Sequence, residues 1–162
     1  MAIVFALGHD SKEAESAIAE LNTRYPEDTS SQYVYIPVAK AALELNRGNP
    51  QKAIEALEPT RPYTFGRIYQ FLPSYVRGLA YLAGRQGTNA VAEFQEITKH
   101  RGIVPYTPEW SLASVGLARA YSMAADTSHA RTAYQDFFAL WKDADPDIPI
   151  LKQARTEYST LQ

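Results

Sequence analysis

A chain of 162 residues with 46% hydrophobic and 21% charged side chains has the composition of one globular domain that can bury a substantial core. The formal net charge of -2 argues against a protein that neutralises nucleic-acid phosphates, so no nucleic-acid partner is expected. The absence of cysteine excludes disulfides and thiolate chemistry.

The first eight residues, MAIVFALG, are apolar. They are too short to span a bilayer and lack the basic start and cleavage pattern of a signal peptide, so we expect no membrane insertion. We interpret them as the second half of a helix that begins outside this chain, with Ile3, Phe5 and Leu7 covering the end of the core. The chain is then expected to be a fragment of a longer protein.

Apolar periodicity predicts helices along the rest of the chain. Residues Ala14, Ile18, Leu21 and Tyr25 recur three and four positions apart, which is one face of an α-helix. No segment alternates apolar and polar residues as a half-buried strand does. The predicted helices are 11–25, 33–46 (with a late start or a kink at Pro37), 50–57, 71–83, 88–100, 110–124, 128–141 and 150–161. The segment 60–68 is predicted to be a loop. The sequence therefore predicts an all-α fold.

The predicted helices form pairs that repeat along the sequence. A small residue opens the second helix of each pair, at Ala14, Ala53, Ala90 and Ala130. A large apolar residue follows four positions later each time, as Ile18, Leu57, Phe94 and Tyr134. In the stretch 78–94 we expect two helix backbones to approach at Gly78 and Ala90, with Tyr81 and Phe94 between them. Such recurrence indicates a repeat architecture.

This pattern resembles the tetratricopeptide repeat family, whose first helix carries a Leu-Gly pair and a Tyr and whose second helix carries Ala and Phe. The third pair keeps Gly78, Tyr81, Ala90 and Phe94. The resemblance implies a right-handed superhelix, a TPR-like solenoid of about four helix pairs of which the first is truncated. The pairs are expected at 1–26, 31–59, 69–101 and 109–142, followed by a capping helix at 148–162.

The segment 140–162 is similar to the C-terminal end of repeat regions attached to bacterial serine/threonine protein kinases and winged-helix regulators. That similarity implies a sensor or scaffold portion of a larger signalling protein. Its location would be the cytoplasm, or the far side of a membrane from a tethered kinase or regulator module.

No catalytic, metal or cofactor site is predicted. No second histidine or cysteine stands three or four positions after His9, His100 or His129, so they do not form a metal-ligand pair along one helix face. Alternating aspartates look like the start of a calcium loop, but the glycine and distal glutamate of that motif are missing. These aspartates are Asp143, Asp145 and Asp147. We therefore expect a chain that is not an enzyme.

The family resemblance implies a concave groove, lined by the first helix of each pair, that binds a protein or peptide. The residues expected to contact this ligand are Tyr35, Asn46, Tyr75, Leu79, Leu82, Arg119 and Met123. Further positions on the same faces are Val38, Ala42, Leu45, Leu72, Leu112, Val115 and Ser122. Tyrosine and arginine are the side chains that most often anchor interfaces.

Two alternatives stay open. In the first, the domain is a homodimerisation module, and its interface is formed by the truncated N-terminal helix together with aromatic loop residues: Tyr63, Phe65, Tyr69, Tyr106 and Trp110. In the second, the helices carry an enzyme or small-molecule site. That site requires converging ionisable groups, and the sequence offers no set that would converge.

Overall fold

Every element in the computed structural model is helical. The structure describes residues 2–8, 10–66, 71–100, 102 and 108–161, without the side chains of residues 4, 5 and 108. Over these ranges there is no strand, which confirms the predicted all-α class, and no helix is both long and apolar enough to cross a bilayer. Phe5, His9, Tyr69 and Tyr106 carry parts of the predictions above, and their side chains lie outside the described residues. The helices are α1 (Ala2–Leu7), α2 (Ser11–Arg24), α3 (Ile36–Asn46), α4 (Pro50–Ala56), α5 (Leu72–Ala83), α6 (Gly87–Lys99), α7 (Pro108–Met123), α8 (Thr127–Leu140) and α9 (Pro149–Ser159).

The observed bounds lie within two residues of the predicted ones except in two places. Before α3, Pro37 cannot donate a backbone hydrogen bond, and one wide π-turn (Ser31–Tyr35) leads into the helix, with the Ile36 N–H donating to Ser31. The chain is therefore already helical before Pro37, in the wide π form, and the predicted irregularity at Pro37 is this π-turn and not a late start. After α4, part of the predicted loop is a 3-10 turn (Glu58–Tyr63) that contains two prolines.

The helices pack in two rows. The odd-numbered helices lie side by side, with α1 on α3, α3 on α5 and α5 on α7. Of the even-numbered helices, α2, α4 and α6 each pack between two odd neighbours, while α8 packs on α7 and α9. Within the described residues the even-numbered helices make no comparable contacts with one another. We refer to these sets as the odd row and the even row.

The ring of Phe94, on α6, lies between two glycines on neighbouring odd helices. It is fully buried. A Cβ placed on Gly78 of α5 would come within 2.6 Å of the ring, and one on Gly116 of α7 within 2.7 Å, both closer than van der Waals contact. The predicted approach at Gly78 is therefore confirmed, whereas Gly116 was not predicted. This glycine–ring–glycine arrangement sets how closely α5 and α7 approach α6.

Arg77 holds a buried charge between α5 and its neighbours, with a relative exposure of 1%. Its Nη1 donates to Glu93 of α6 at 3.0 Å. Its Nη2 donates to the Leu57 carbonyl at 3.1 Å and to the Thr60 hydroxyl at 2.6 Å, both at the end of α4. One side chain thus joins three helices, and nothing in the sequence analysis singled it out.

Replacing Gly78 with alanine is expected to lower the free energy of unfolding by roughly 1–3 kcal/mol, because the new methyl would overlap the fully buried Phe94 ring and force it to repack. Combining G78A with F94L is expected to cost less than the sum of the single changes, since leucine frees space. Urea denaturation followed by circular dichroism measures each value. Gly102→Ala is the control, because nothing lies within 4 Å of its added Cβ. Additive effects of G78A and F94L would contradict this packing.

Candidate binding groove

The seven residues predicted to contact a ligand are all half-buried, and they lie on or directly before helices of the odd row. Three of the further groove positions are instead part of the core, with exposures of 2% or less: Val38, Ala42 and Val115. The side chains that remain accessible are mainly apolar on α5, with polar groups at Asn46 of α3 and Arg119 of α7. They form a mixed surface along α3, α5 and α7, which we call the odd-row groove.

Asn46, at the end of α3, already has a structural partner. Its amide Nδ2 donates to the backbone carbonyl of Ala6 at 2.6 Å, across a sequence separation of 40 residues. The bond satisfies one of the carbonyls that the end of α1 leaves without an intrahelical donor. Asn46 therefore joins α1 to α3, and a ligand at this position would meet an amide whose donor is engaged.

Tyr75 anchors the centre of the groove. Its ring packs edge-on against Phe94, with 6.0 Å between the ring centres. Burial raises the pKa of its hydroxyl, Arg119 partly offsets that rise, and Glu109 adds to it. Leu79 and Leu82 follow on the same helix and pack against the cluster around Phe94. The middle of the groove is therefore an apolar surface with a neutral phenol beside charged groups of α7.

Arg119 and Met123 line a cleft of about 330 Å³ between α7 and α9, which we call the arginine cleft. Its lining residues are Arg85, Arg119, Ser122, Met123, Tyr134, Glu157, Thr160 and Leu161. Arg119 Nε donates to Glu157 Oε2 at 2.9 Å. Its Nη2 is buried and has no hydrogen-bond partner within the described part of the chain. The structure thus brings two of the predicted residues together in one cleft.

Tyr134 of α8 supports the same cleft and was not predicted to do so. Its hydroxyl donates to Glu157 Oε2 at 2.9 Å, so one carboxylate oxygen receives bonds from two helices. Burial, followed by the bond to Glu157, raises the pKa of Tyr134. The sequence pattern identified Tyr134 only as the large residue four positions after Ala130, because its partner on α9 lies 23 positions away.

The even row carries clefts that the sequence analysis missed. One of about 530 Å³ lies between α2 and α4 above α3, and one of about 420 Å³ between α6 and α8 above α7. A third, of about 320 Å³, lies beside Arg77. The first had a signal in the sequence, because Pro50 and Pro59 confine α4 to seven residues and leave space beside α2.

The residues considered for metal chemistry have local structural roles where they are described. His100 follows the end of α6, and its Nδ1 lies 2.7 Å from the Glu96 carbonyl. His129 Nδ1 lies 2.8 Å from Asp126, which caps α8. Asp145 accepts a bond from the Asp147 N–H. No group of three histidines, aspartates or glutamates gathers to hold a metal among residues 2–8, 10–66, 71–100, 102 and 108–161.

The aromatic residues of the homodimer alternative occupy different environments. Phe65 is 57% exposed and contacts Phe71 and His100. Tyr63 packs against Tyr33, which is 50% exposed. Trp110 is half-buried against the cluster around Phe94. Among the described members of this set, Phe65 is therefore the one that solvent reaches most freely, and Tyr33, which was not part of the prediction, adds exposed aromatic surface beside Tyr63.

No protein-family model, curated protein or solved structure matches this chain. The resemblance to the tetratricopeptide repeat family therefore rests on the recurring residues alone, and it stays a prediction. The same holds for the association with kinases or transcriptional regulators.

The free energy of unfolding is expected to fall as the pH rises above about 10. The pKa values of Tyr75 and Tyr134 are raised in the folded chain, so the unfolded chain loses these protons first. Their contribution to stability is present below the unfolded pKa of about 10 and is lost as the pH rises through the folded values. Urea denaturation at a series of pH values from about 7 to about 11 measures the decline.

Tyr134→Phe is expected to make that decline shallower, by up to about 1.4 kcal/mol per pH unit. Tyr25→Phe is the matched control, because it removes the hydroxyl of an exposed tyrosine. If the free energy of unfolding falls equally steeply in both variants above about pH 10, where an ordinary tyrosine ionises, the decline does not arise from Tyr134.

Proposed function

We propose that this chain is a non-catalytic binding scaffold that takes a protein or peptide segment in the odd-row groove. The observation that carries the proposal is the juxtaposition of Tyr75 and Arg119. Both are half-buried, they lie on odd helices that pack side by side, and Arg119 offsets part of the rise that burial causes in the pKa of the Tyr75 hydroxyl. Rigid aromatic and guanidinium groups beside an apolar surface are typical of interface anchors.

The packing of the helices supports a TPR-like solenoid as the framework for this groove. Each pair contacts mainly its neighbours, and the odd helices form a continuous row. In a right-handed superhelix of this kind, the odd row would be the concave side. The small residue and the ring found at Gly78 and Phe94 agree with the family pattern.

The similarity of 140–162 to the ends of bacterial kinase and regulator repeat regions supports a place within a larger signalling protein. In that setting, the chain would act as a sensor or scaffold, and ligand binding would be read by an attached module. The groove proposal itself does not depend on this setting.

The proposal is tested by recovering partners from a lysate of the source organism with this chain as bait. Binding of a partner is expected to drop at least about tenfold in a Tyr75→Ala, Arg119→Ala double variant, since two interface anchors are removed. The matched control is Arg24→Ala, Tyr25→Ala, because these exposed residues have the same chemistry and lie at the end of α2. Circular dichroism checks that all three chains are folded. Equal recovery by both double variants would show that the groove is not the site.

A homodimer is the second candidate, because Tyr33 and Phe65 leave aromatic surface exposed. Light scattering over a concentration series distinguishes the two readings. A monomer at every concentration would exclude the homodimer, whereas a dimer that Phe65→Ser dissociates would favour it over the scaffold proposal.

A further inference from the structure

The cleft between α2 and α4 is lined by two long helix faces, and we call it the lysine cleft. Its volume of about 530 Å³ lies within the range of roughly 300–1,000 Å³ that is common for ligand sites. The lining residues of α2 are Glu15, Ile18, Ala19 and Asn22, and those of α3 are Lys40, Leu43, Glu44 and Arg47. In each set the later members stand three, four and seven positions after the first, so each set is one helix face of about two turns. Lys52 and Ala56 of α4 close the other side.

The space in the lysine cleft arises from the packing around α3. Helix α2 packs mainly on α1 and only lightly on α3. Helix α4 has seven residues against the 14 of α2, so it leaves part of that helix uncovered. Ile18 and Leu43 form the floor and are 8% and 3% exposed. The walls carry Ala19, which is exposed, and Ala56, which is half-buried, and these small side chains keep the cleft open.

The acidic side chains of the lysine cleft already have donors. Arg47 bonds to Glu15 of α2 and, at 2.7 Å, to Glu44 of its own helix. The second carboxylate oxygen of Glu44 accepts a bond from Asn49 Nδ2 at 2.9 Å. The bonds from Asn49 and Arg47 lower the pKa of Glu44, so this carboxylate stays ionised and paired.

Two ammonium groups remain on the rim of the lysine cleft. Lys40 of α3 and Lys52 of α4 are exposed, and neither makes a hydrogen bond or ion pair within the part of the chain that the structure describes. Lys52 acts on Glu44 through its charge alone. With Arg47, the lining carries three positive charges against the two negative charges of Glu15 and Glu44. The field at the rim therefore favours anionic groups above an apolar floor.

We infer that the lysine cleft binds an amphipathic helix of a partner protein, with apolar side chains over the floor and carboxylates against Lys40 and Lys52. A helix is favoured over an extended segment, because the side chains on one face of a helix recur at the same spacing as the lining residues of α2 and α3. The site lies in the even row, so it is separate from the odd-row groove and does not depend on the function proposed there. A scaffold with both sites could hold two partners at once.

Three pools of helical peptides test the inference on the full chain. Each peptide has about 15 residues on an alanine background, a length at which such helices form. One face carries leucine, isoleucine, methionine or phenylalanine in every pool, and the flanking positions carry glutamate, glutamine or lysine. Fluorescence anisotropy gives the affinity of each labelled pool. The glutamate pool is expected to bind about tenfold more tightly than the glutamine pool, which is the scale of two exposed ion pairs. Binding of the lysine pool as tight as that of the glutamate pool would overturn the inference.

Charge variants assign this preference to the lysine cleft. The double variant Lys40→Gln, Lys52→Gln is expected to lose the preference for glutamate, and each single variant to reduce it about threefold. The matched control is Lys12→Gln, Lys142→Gln, which removes the same charge at exposed positions that do not line the cleft. If both double variants lose the preference equally, the attraction arises from the overall charge of the chain and the cleft is not the site.

Ala19→Gln tests whether a side chain of the peptide enters the lysine cleft. Glutamine is a good helix former, and at this exposed position it places a longer polar side chain over the floor. Binding of the glutamate pool is expected to weaken at least about tenfold, the scale on which one large apolar side chain is buried. Ser16→Gln is the control on the same helix, because Ser16 is exposed and does not line the cleft. Equal binding by these two variants would refute the inference. Thermal melting checks that each variant folds, and the lysine variants carry the test if Ala19→Gln does not.

The remaining outcomes separate this inference from the proposed function. If Tyr75→Ala, Arg119→Ala abolishes binding of the glutamate pool while the Lys40, Lys52 variant retains it, the peptides occupy the odd-row groove. The inference then fails, and the proposed function gains support. If no pool binds, the inference fails and the odd-row groove is still decided by its own test. If light scattering shows self-association that the Lys40, Lys52 variant abolishes, the occupant is a second copy of this chain and not a partner helix.

Discussion

The arrangement of the central helices depends on one contact, the Phe94 ring held between Gly78 and Gly116. Because neither glycine has a side chain, the backbones of α5 and α7 both come close to the tip of the ring, at Cζ and Cε1, and α6 packs against both. The same ring is the floor on which Tyr75 packs. Arg119 lies three residues after Gly116 on α7. The distance between the two main polar groups of the groove is therefore set by a buried contact beneath it.

The contact between α4 and its neighbours α5 and α6 is formed differently. There α4 has only seven residues, so its last carbonyls lie close to the fully buried Leu57. A buried carbonyl needs a donor, and Arg77 supplies one to Leu57 while its charge is balanced by Glu93. Thr60 completes the arrangement. A hydrogen-bonded ion pair thus connects α4, α5 and α6, whereas the Phe94 ring connects α5, α6 and α7.

The sequence was sufficient for features that arise within one helix or one turn. Periodicity and proline gave the helices and the break at Pro37, and the Gly78–Phe94 pair followed from a local motif. It was insufficient for Gly116, for Asn46 bonding to Ala6, and for Arg119 bonding to Glu157, where the partners are 22 to 40 residues apart. Helical spacing shows which residues share a face, but it does not show which atom on another helix that face will meet.

Glu157 belongs to the C-terminal helix α9 and also bonds to Arg119 in the groove. This double role affects how tightly a ligand can bind there. Glu157 is tethered to the scaffold by α9, so it meets Arg119 at an effective concentration far above that of a free ligand. Leu151 and Ala154 bury one face of α9, and Tyr134 holds the carboxylate from the side. A partner that approaches Arg119 from the groove meets a guanidinium whose Nε is engaged by Glu157 and whose Nη2 is buried. It must therefore displace Glu157 before it can bind this side chain, and the packing of α9 opposes that displacement.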